Sequence, residues 1–528
     1  MTSLDWIIIA AYSAGLILLG WYLGKKQKTS EDYYLAGRKI SWLPIGLSTM
    51  ATQLGAVSFI SAPAFVALRP GGGLILLGYE LALPLAMILL MAFFFPAYLS
   101  LRVISVYEFL ERRFDLRTRI VMSALFQISR GLATGVAVYA AAIVLSVTLK
   151  IPLFITIILI GAVALIYELF GGIHVDIISD TIQMIVILLG LLITGIVGLH
   201  LIGGFSSISQ TLDPSRFVAV DFTAHGLGDS QDFGFWPFFL GGFFLYASYY
   251  GCDQSQVQRE LSARSLTDCR KSLLFNGFFR FPLVLLYGGI GLVLGTYILK
   301  HPGFLSKLPQ GGYDYLLPTF ILANMPAGVV GLIFIAIMAA AMSSLDSSIN
   351  SLSAASLEDI YKKIIKGSLS PQQEMKLSKL FTLFWGLFCI GFAFVIGDIS
   401  PTILESINKI GSAFYGPIFA VFFLGIFSRK AKPGPIILGL ILGVLTNMYL
   451  WFFIHSVSWL WWNAIGFLVA ITTAILGSSL SSKEFRPSLQ IEIRDTNGNW
   501  AWAYLGLFLY AAGLILFLAF LPQWIKLL

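Results

Sequence analysis

Fourteen stretches of this 528-residue chain are apolar over about twenty residues each, the length that crosses roughly 30 Å of hydrocarbon. They lie near 4–23, 42–68, 74–99, 120–148, 151–170, 176–203, 234–251, 274–299, 317–345, 377–397, 403–426, 434–454, 458–478 and 502–522. In lipid a backbone must satisfy its own hydrogen bonds, and a helix does so within one segment. The chain is therefore expected to be an all-α polytopic membrane protein. Composition agrees. Hydrophobic residues make up 57% and charged residues 12%, about half the ~25% charge of soluble domains. So few charges cannot cover a water-facing surface, which excludes soluble enzymes, nucleic-acid binders and disordered scaffolds. Three cysteines, Cys252, Cys269 and Cys389, are too few for a disulfide framework.

The basic residues orient the spans. Of 34 lysines and arginines, 25 fall in one alternate set of loops, beginning with residues 24–41 and counting Lys379 at the edge of the tenth span, and 6 in the opposite set with the termini. The other three, Arg130, Arg280 and Lys409, lie within spans. Positive loops are retained in the cytoplasm during insertion, so both termini are expected outside. The net charge of +7 is then a topology signal and not a nucleic-acid footprint. Lys25, Lys26 and Lys28 follow the first span and no basic residue precedes it, the reverse of a cleavable signal peptide. The run Arg259, Arg264, Arg270 and Lys271 is read in the same way, as topology signal or contact with membrane lipid.

With 1–41 (an extra N-terminal helix and loop) and 427–528 (extra C-terminal helices) set aside, ten spans remain. They form two groups of five, 42–203 and 234–426, joined by an external segment 204–233. Five is odd, so the second group enters the membrane from the opposite side, the arithmetic of an inverted repeat and of many secondary transporters. Each group opens with an interrupted helix, carrying Gly46, Gly55 and Pro63 in one and Pro237, Gly241, Gly242 and Gly251 in the other. Unwinding there would free carbonyls for a cation, although glycine and proline are also common in membrane helices generally. No P-loop surrounds Gly24-Lys25, so an ATP-driven motor is absent from the sequence. The five histidines form no metal-ligand pair, and no nucleophile-base pair stands out.

The segment Ala339–Asn350 ends a long apolar span and reads Ala-Ala-Ala-Met-Ser-Ser-Leu-Asp-Ser-Ser-Ile-Asn. At helical spacing Ser343 neighbours Asp346 and Ser347. Several small oxygen ligands share one face, which suits sodium; the same residues equally suit close helix packing, with hydroxyls bonded to the preceding turn. Asp346 leans toward the cation, because a carboxylate near the membrane needs a partner or a task.

Together with three further stretches, this segment makes the chain resemble the sodium/solute symporter family, which includes sodium–glucose, sialic acid, proline, monocarboxylate and iodide symporters. The others are Ala51-Thr52-Gln53-Leu54, the run Ile166–Ile173 continuing to Asp180, and the run Tyr250–Arg259. The likeness covers about residues 5–430 and rests on the combination. It implies the LeuT fold, a five-plus-five inverted repeat with extra flanking helices. It implies a principal sodium site on the carbonyls of Ala51, Leu54 and Ala340 and the hydroxyls of Ser343 and Ser344. Oxygen ligands without thiol or imidazole fit a hard cation. A second sodium, bound by only some members, would use Asp180, Asp346 and Ser347. The sialic acid branch has serine in place of Asp346, and the extra carboxylate would strengthen the site, hold a proton or pair with a base.

For the substrate, the resemblance lines a central cavity with Gln53, Gly55, Ser58, Glu80, Asp253 and Gln254. Tyr79-Glu80 is similar to the sugar carriers, where a glutamate binds hydroxyls, yet Ser58 and Asp253 stand where those carriers have glutamine and asparagine. The Gly251–Arg259 run resembles the anion and monocarboxylate branch. Arg130, in Ile128-Ser129-Arg130, matches the arginine by which the sialic acid branch binds a carboxylate; its other reading is an internal ion pair with Asp253 or Glu80. The expected function is a plasma-membrane symporter, not an enzyme, that couples sodium entry to import of a small, carboxylate-bearing solute by alternating access, with no obligatory protein partner. Sodium-coupled sugar or amino-acid uptake, a proton-coupled carrier, a transporter-fold sensor and an intramembrane enzyme are the alternatives.

Overall fold

Twelve helices are individually long and apolar enough to cross a membrane. They belong to a computed structural model that describes residues 1–25, 27–229, 231–308, 312–365, 369–395, 403–481 and 499–527. One of the twelve, Leu153–Ile202, has 50 residues, roughly 75 Å at the rise of an α-helix and too long for a single crossing. It breaks at Gly172, with φ 51° and ψ −157°. A Cβ there would stand 2.4 Å from the Tyr33 carbonyl oxygen, so only glycine fits the reversal. The break yields two crossings, 153–171 and 173–202. A further crossing, 237–261, is built in pieces from Pro237–Gly241, Gly242–Cys252 and Gln254–Leu261. These account for the fourteen predicted spans.

In chain order α1 is Ser3–Gly24, α2 Trp42–Leu68, α3 Leu74–Ser100, α4 Leu116–Leu149, α5 153–171, α6 173–202 and α7 237–261. The rest are α8 Leu266–Lys300, α9 Val329–Ala355, α10 Pro371–Ala393, α11 Ile403–Phe427, α12 Pro433–Phe453, α13 Trp461–Leu480 and α14 Ala501–Leu527. Among the described residues the β content is two isolated bridges, Ile40 to Ala263 and Leu227 to Val457. Lys26, Lys366, Lys483, Arg486 and Arg494 of the basic loops lie outside the described residues, as does the predicted end of the tenth span at 396–397.

The structure corrects one span with consequences for the site. The stretch 317–345 is not one helix. A short helix, Leu316–Asn324, stops before Pro326, and α9 restarts after Gly328, whose φ is 85°. Proline lacks the N–H that continuation needs, and glycine takes the left-handed turn. α9 then runs to Ala355 rather than residue 345. Ser343–Asn350 therefore lie inside a helix, all but the half-buried Ser344 buried against α2, α4 and α6. The start of α9 is capped from outside the repeat. Asp5 of α1 accepts the N–H groups of Gly328 at 2.8 Å and Gly331 at 2.9 Å, which have no partner within their own helix.

Candidate functional site

α2 is helical on both sides of Gly55, which takes φ 50° and ψ 165°. The N–H groups of residues 56–58 would normally serve the carbonyls of Thr52, Gln53 and Leu54, so the break releases carbonyls in the preceding turn. A Cβ at Gly55 would also stand 3.0 Å from the Ser344 hydroxyl oxygen. Here α9 crosses α2. The Ser344 hydroxyl donates to the Thr52 carbonyl at 3.1 Å and lies 3.4 Å from that of Ala340. Ser343 is fully buried, and its Oγ has no hydrogen-bond partner. Such a hydroxyl costs roughly 1–3 kcal/mol, which coordination of a cation would offset. The predicted sodium ligands Ala51, Leu54, Ala340, Ser343 and Ser344 thus meet at one helix crossing, all fully buried except Ser344.

Along the same seam α9 meets α6. The carboxylates of Asp176, Asp180 and Asp346 are buried and lie within 4.8 Å of one another. Asp176 and Asp180, four residues apart, share one face of α6. A single guanidinium serves this group. Arg259 Nη2 lies 2.9 Å from both oxygens of Asp176 and 3.1 Å from Asp180, and it also donates to Ser347. Its Nε donates to Ser48 at 2.8 Å, and the Ser48 hydroxyl donates to Asp180 at 2.6 Å. Asp346 accepts from the Tyr167 hydroxyl and from the Ser347 N–H. Three carboxyl groups against one arginine can accommodate further positive charge. Asp180 Oδ1 has no hydrogen bond.

Arg259 is therefore not a loop residue facing lipid or water, as the basic run suggests. It is fully buried, because the second half of α7 turns inward against α2 and α9. Arg270 is buried too, with its Nε on the Met91 carbonyl at 3.1 Å and its guanidinium over the Trp500 ring. Arg264 alone of the three stays exposed, paired with Asp268 at 2.7 Å.

Beside the seam, α2, α3, α4, α7, α8, α9 and α11 enclose a cavity of about 180 Å³. Gln53, Ser58, Glu80 and Arg130 line it. Gln53 accepts from the Tyr250 hydroxyl. Arg130 is ion-paired with Asp253 through Nη2, lies 5.2 Å over the Tyr249 ring, and leaves its Nε without a hydrogen bond. Glu80 faces Arg280 at 3.4 Å; Oε2 of the former and Nη1 of the latter make no hydrogen bond. Two predicted contacts lie elsewhere. Asp253 sits in the break of α7, where it caps Gln254–Leu261 by accepting the Ser255 N–H at 2.9 Å. Gln254 turns away, accepting the Val106 N–H at 2.8 Å and donating to the Ile104 carbonyl at 3.0 Å. The break of α7 thus falls at Asp253 and not at the predicted glycines, since an aspartate can cap a helix without left-handed backbone.

Asp176, Arg259 and Arg280 escape a sequence reading of the site. The available signals were the four-residue spacing of Asp176 from Asp180, and the rule that an arginine within a span must find an acid.

The geometry defines a secondary transporter. It is an all-helical membrane protein with broken helices meeting at oxygen-rich crossings beside a central cavity, the LeuT-type five-plus-five inverted repeat. The sodium:solute symporter family model matches residues 33–443, and the chain belongs to that family. It is 29% identical over 504 residues to the sodium/sialic acid symporter of Proteus mirabilis, covering 93% of this chain and 97% of the relative. The human sodium/iodide cotransporter is 27% identical, over 80% of this chain and 65% of the relative. A solved Na+-coupled sialic acid symporter, substrate-bound and outward-open, superposes with a TM-score of 0.83 at 28% identity, covering 91% of this chain and 98% of that one. A nucleobase-cation-symport-1 family transporter shares the fold, with a TM-score of 0.51 at 12% identity over 88% of this chain and 98% of that one. The protein is a sodium-coupled symporter of a small solute.

Proposed function

We propose that the solute is an organic acid whose carboxylate docks on Arg130 while a hydroxyl or amide at its other end bonds between Glu80 and Arg280. One observation carries this reading. Arg130 lines the cavity, and with Asp253 on its Nη2 it still has an unengaged Nε edge. A guanidinium is a planar fork that meets two carboxylate oxygens, so one edge can be held by Asp253 and the other by substrate. At the far pole the free Oε2 of Glu80 and Nη1 of Arg280 offer an acceptor beside a donor, which matches a hydroxyl that both donates and accepts. Relatives named for sialic acid and for monocarboxylate transport fit this chemistry. The competing reading is a neutral polyhydroxylated solute centred on Glu80, favoured by that same free Oε2.

Competition of uptake by acids against their neutral amides separates the two. In proteoliposomes acids should compete better than amides by roughly 10-fold or more, the worth of one charge-assisted hydrogen bond. Arg130→Lys should erase that preference while leaving sodium binding nearly intact, since lysine keeps the charge without the fork. Equal inhibition by acid and amide in the unaltered protein would return the neutral reading.

Sodium in this reading sits on Ala51, Leu54, Ala340, Ser343 and Ser344, with a second ion at Asp180, Asp346 and Ser347. Each sodium entering down 100 mV supplies ~2.3 kcal/mol, and the repeats 42–203 and 234–426 alternate access by rocking around the central site. Both termini face outward, with the basic loops in the cytoplasm of a plasma-membrane protein. All three native cysteines are buried, so a cysteine placed at exposed Lys363 reports on one side cleanly. Impermeant thiol reagents should reach it only from the cytoplasmic face; labelling in intact cells would invert the topology.

A further inference from the structure

The polar stripe of α6 does not end at Asp180. Gln183 is the next residue on that face at helical spacing. It is fully buried, yet neither its amide oxygen nor its amide nitrogen makes a hydrogen bond. A primary amide can make four, and burying it with none is unfavourable, so this position calls for an occupant. Two contacts set the register of the antiparallel helices α6 and α9. Ser347 lies 3.4 Å from Asp176, and a Cβ added at Gly190 would lie 3.0 Å from that of Ala336. Gln183, midway between, is therefore level with Ala340 and Ser343, the latter with an unpartnered Oγ of its own.

A third helix closes the same spot. The hydroxyl of Tyr12, on α1, approaches Gln183 without completing a hydrogen bond. α1 is held there at both ends, by Asp5 on the start of α9 and by Gly20, where a Cβ would stand 2.9 Å from Tyr167. Four buried and unpartnered groups thus converge on one seam: the Tyr12 hydroxyl, the Gln183 amide, Ser343 Oγ and Asp180 Oδ1. Neither Tyr12 nor Gln183 lines the central cavity.

We propose that Gln183 supplies a further oxygen ligand to the coupling cation, at a relay position between Ser343 and Asp180, with Tyr12 as the residue that orients its amide. The inference rests on the sodium reading above and extends it to α1, a helix outside the inverted repeat. The ligand class is a hard monovalent cation, bound by Gln183 Oε1, Ser343 Oγ and Asp180 Oδ1. Tyr12 would accept from the amide N–H and so turn Oε1 toward the seam.

The test is titration of the purified full-length protein with sodium chloride alone, against choline chloride, read as sodium-induced thermal stabilisation and as sodium activation of uptake. Gln183→Met keeps length and volume but removes the oxygen, and should raise half-saturating sodium about fivefold, the loss of one neutral ligand. Gln183→Glu restores an oxygen and adds charge, and should bind sodium at least as tightly as the unaltered protein. Tyr12→Phe should weaken binding by a smaller factor, roughly twofold to threefold. Substrate KM at saturating sodium should stay unchanged in all three, which a packing role would not single out. Unaltered sodium titrations in Gln183→Met and Tyr12→Phe, with Ser343→Ala impaired, would overturn the relay and leave the sodium site standing. An unaltered titration in Ser343→Ala as well would overturn the site beneath it. Where Gln183→Met fails to fold, Gln183→Glu and Tyr12→Phe decide: weakened sodium binding in the former or none of the expected loss in the latter rejects the proposal.

Discussion

Arg259→Met is expected to destabilise the protein by about 3–5 kcal/mol, the cost of stripping the partner from a buried ion pair. The arginine is fully buried and bonds Asp176, Asp180, Ser48 and Ser347 at once. Without it Asp176 and Asp180 lose the guanidinium that pairs with them among the described residues, while three carboxyl groups remain within 4.8 Å of one another. Methionine matches the volume, so the loss reports on charge and not on a cavity. Arg259→Lys should recover part of the stability, because one ammonium cannot reach both oxygens of Asp176 together with Ser48 on a second nitrogen. The sharper check is a double variant. Asp176→Asn in the Arg259→Met background removes the most exclusively paired acid and should restore a large share of what was lost, a coupling that distant, independent sites do not show. Thermal unfolding of the detergent-purified protein reads all three variants against the unaltered chain. An Arg259→Met protein as stable as the unaltered chain would show that the guanidinium does not hold this cluster together.

The second large effect is on sodium. Ser343→Ala and Ser344→Ala each remove an oxygen ligand from a charged species, about 1.5–3 kcal/mol, or roughly a 10- to 150-fold loss of sodium affinity. The two should differ in their side effects. Ser344 donates to the Thr52 carbonyl across the α2–α9 crossing at 3.1 Å, so its alanine variant should also loosen that crossing. Ser343 has no hydrogen bond to lose, so Ser343→Ala should leave stability intact or slightly raised while sodium dependence collapses. Sodium dependence of uptake, measured beside thermal stability, separates the ligand role from the packing role that the same serines could fill. Wild-type sodium dependence in both variants would move the cation site elsewhere.

Much of this protein is readable from local signals. Apolar runs of bilayer length mark the spans, because transfer of a segment into hydrocarbon depends on the sum of its own side chains. Gly55 marks the break in α2 because the left-handed conformation there excludes a Cβ, which is a property of one residue. The Ser343–Ser347 spacing marks an oxygen-bearing helix face, since helical geometry makes three and four residues neighbours. The reading failed where a local signal was ambiguous. The segment 317–345 is apolar throughout, and only the backbone at Pro326 and Gly328 divides it.

The sequence by itself determined the class of molecule, the fourteen crossings and the oxygen-rich faces of α2 and α9. Only the tertiary structure decided which charges meet. Arg259 and Asp176 are 83 residues apart, and Arg130 could have paired with either Glu80 or Asp253. The fold gives Asp253 to Arg130, Arg280 to Glu80 and Arg259 to the aspartates of α6. The reason is physical. Partition into lipid is additive along a segment and legible in order, whereas a buried charge is neutralised by whichever opposite charge the packing of distant helices brings within about 4 Å.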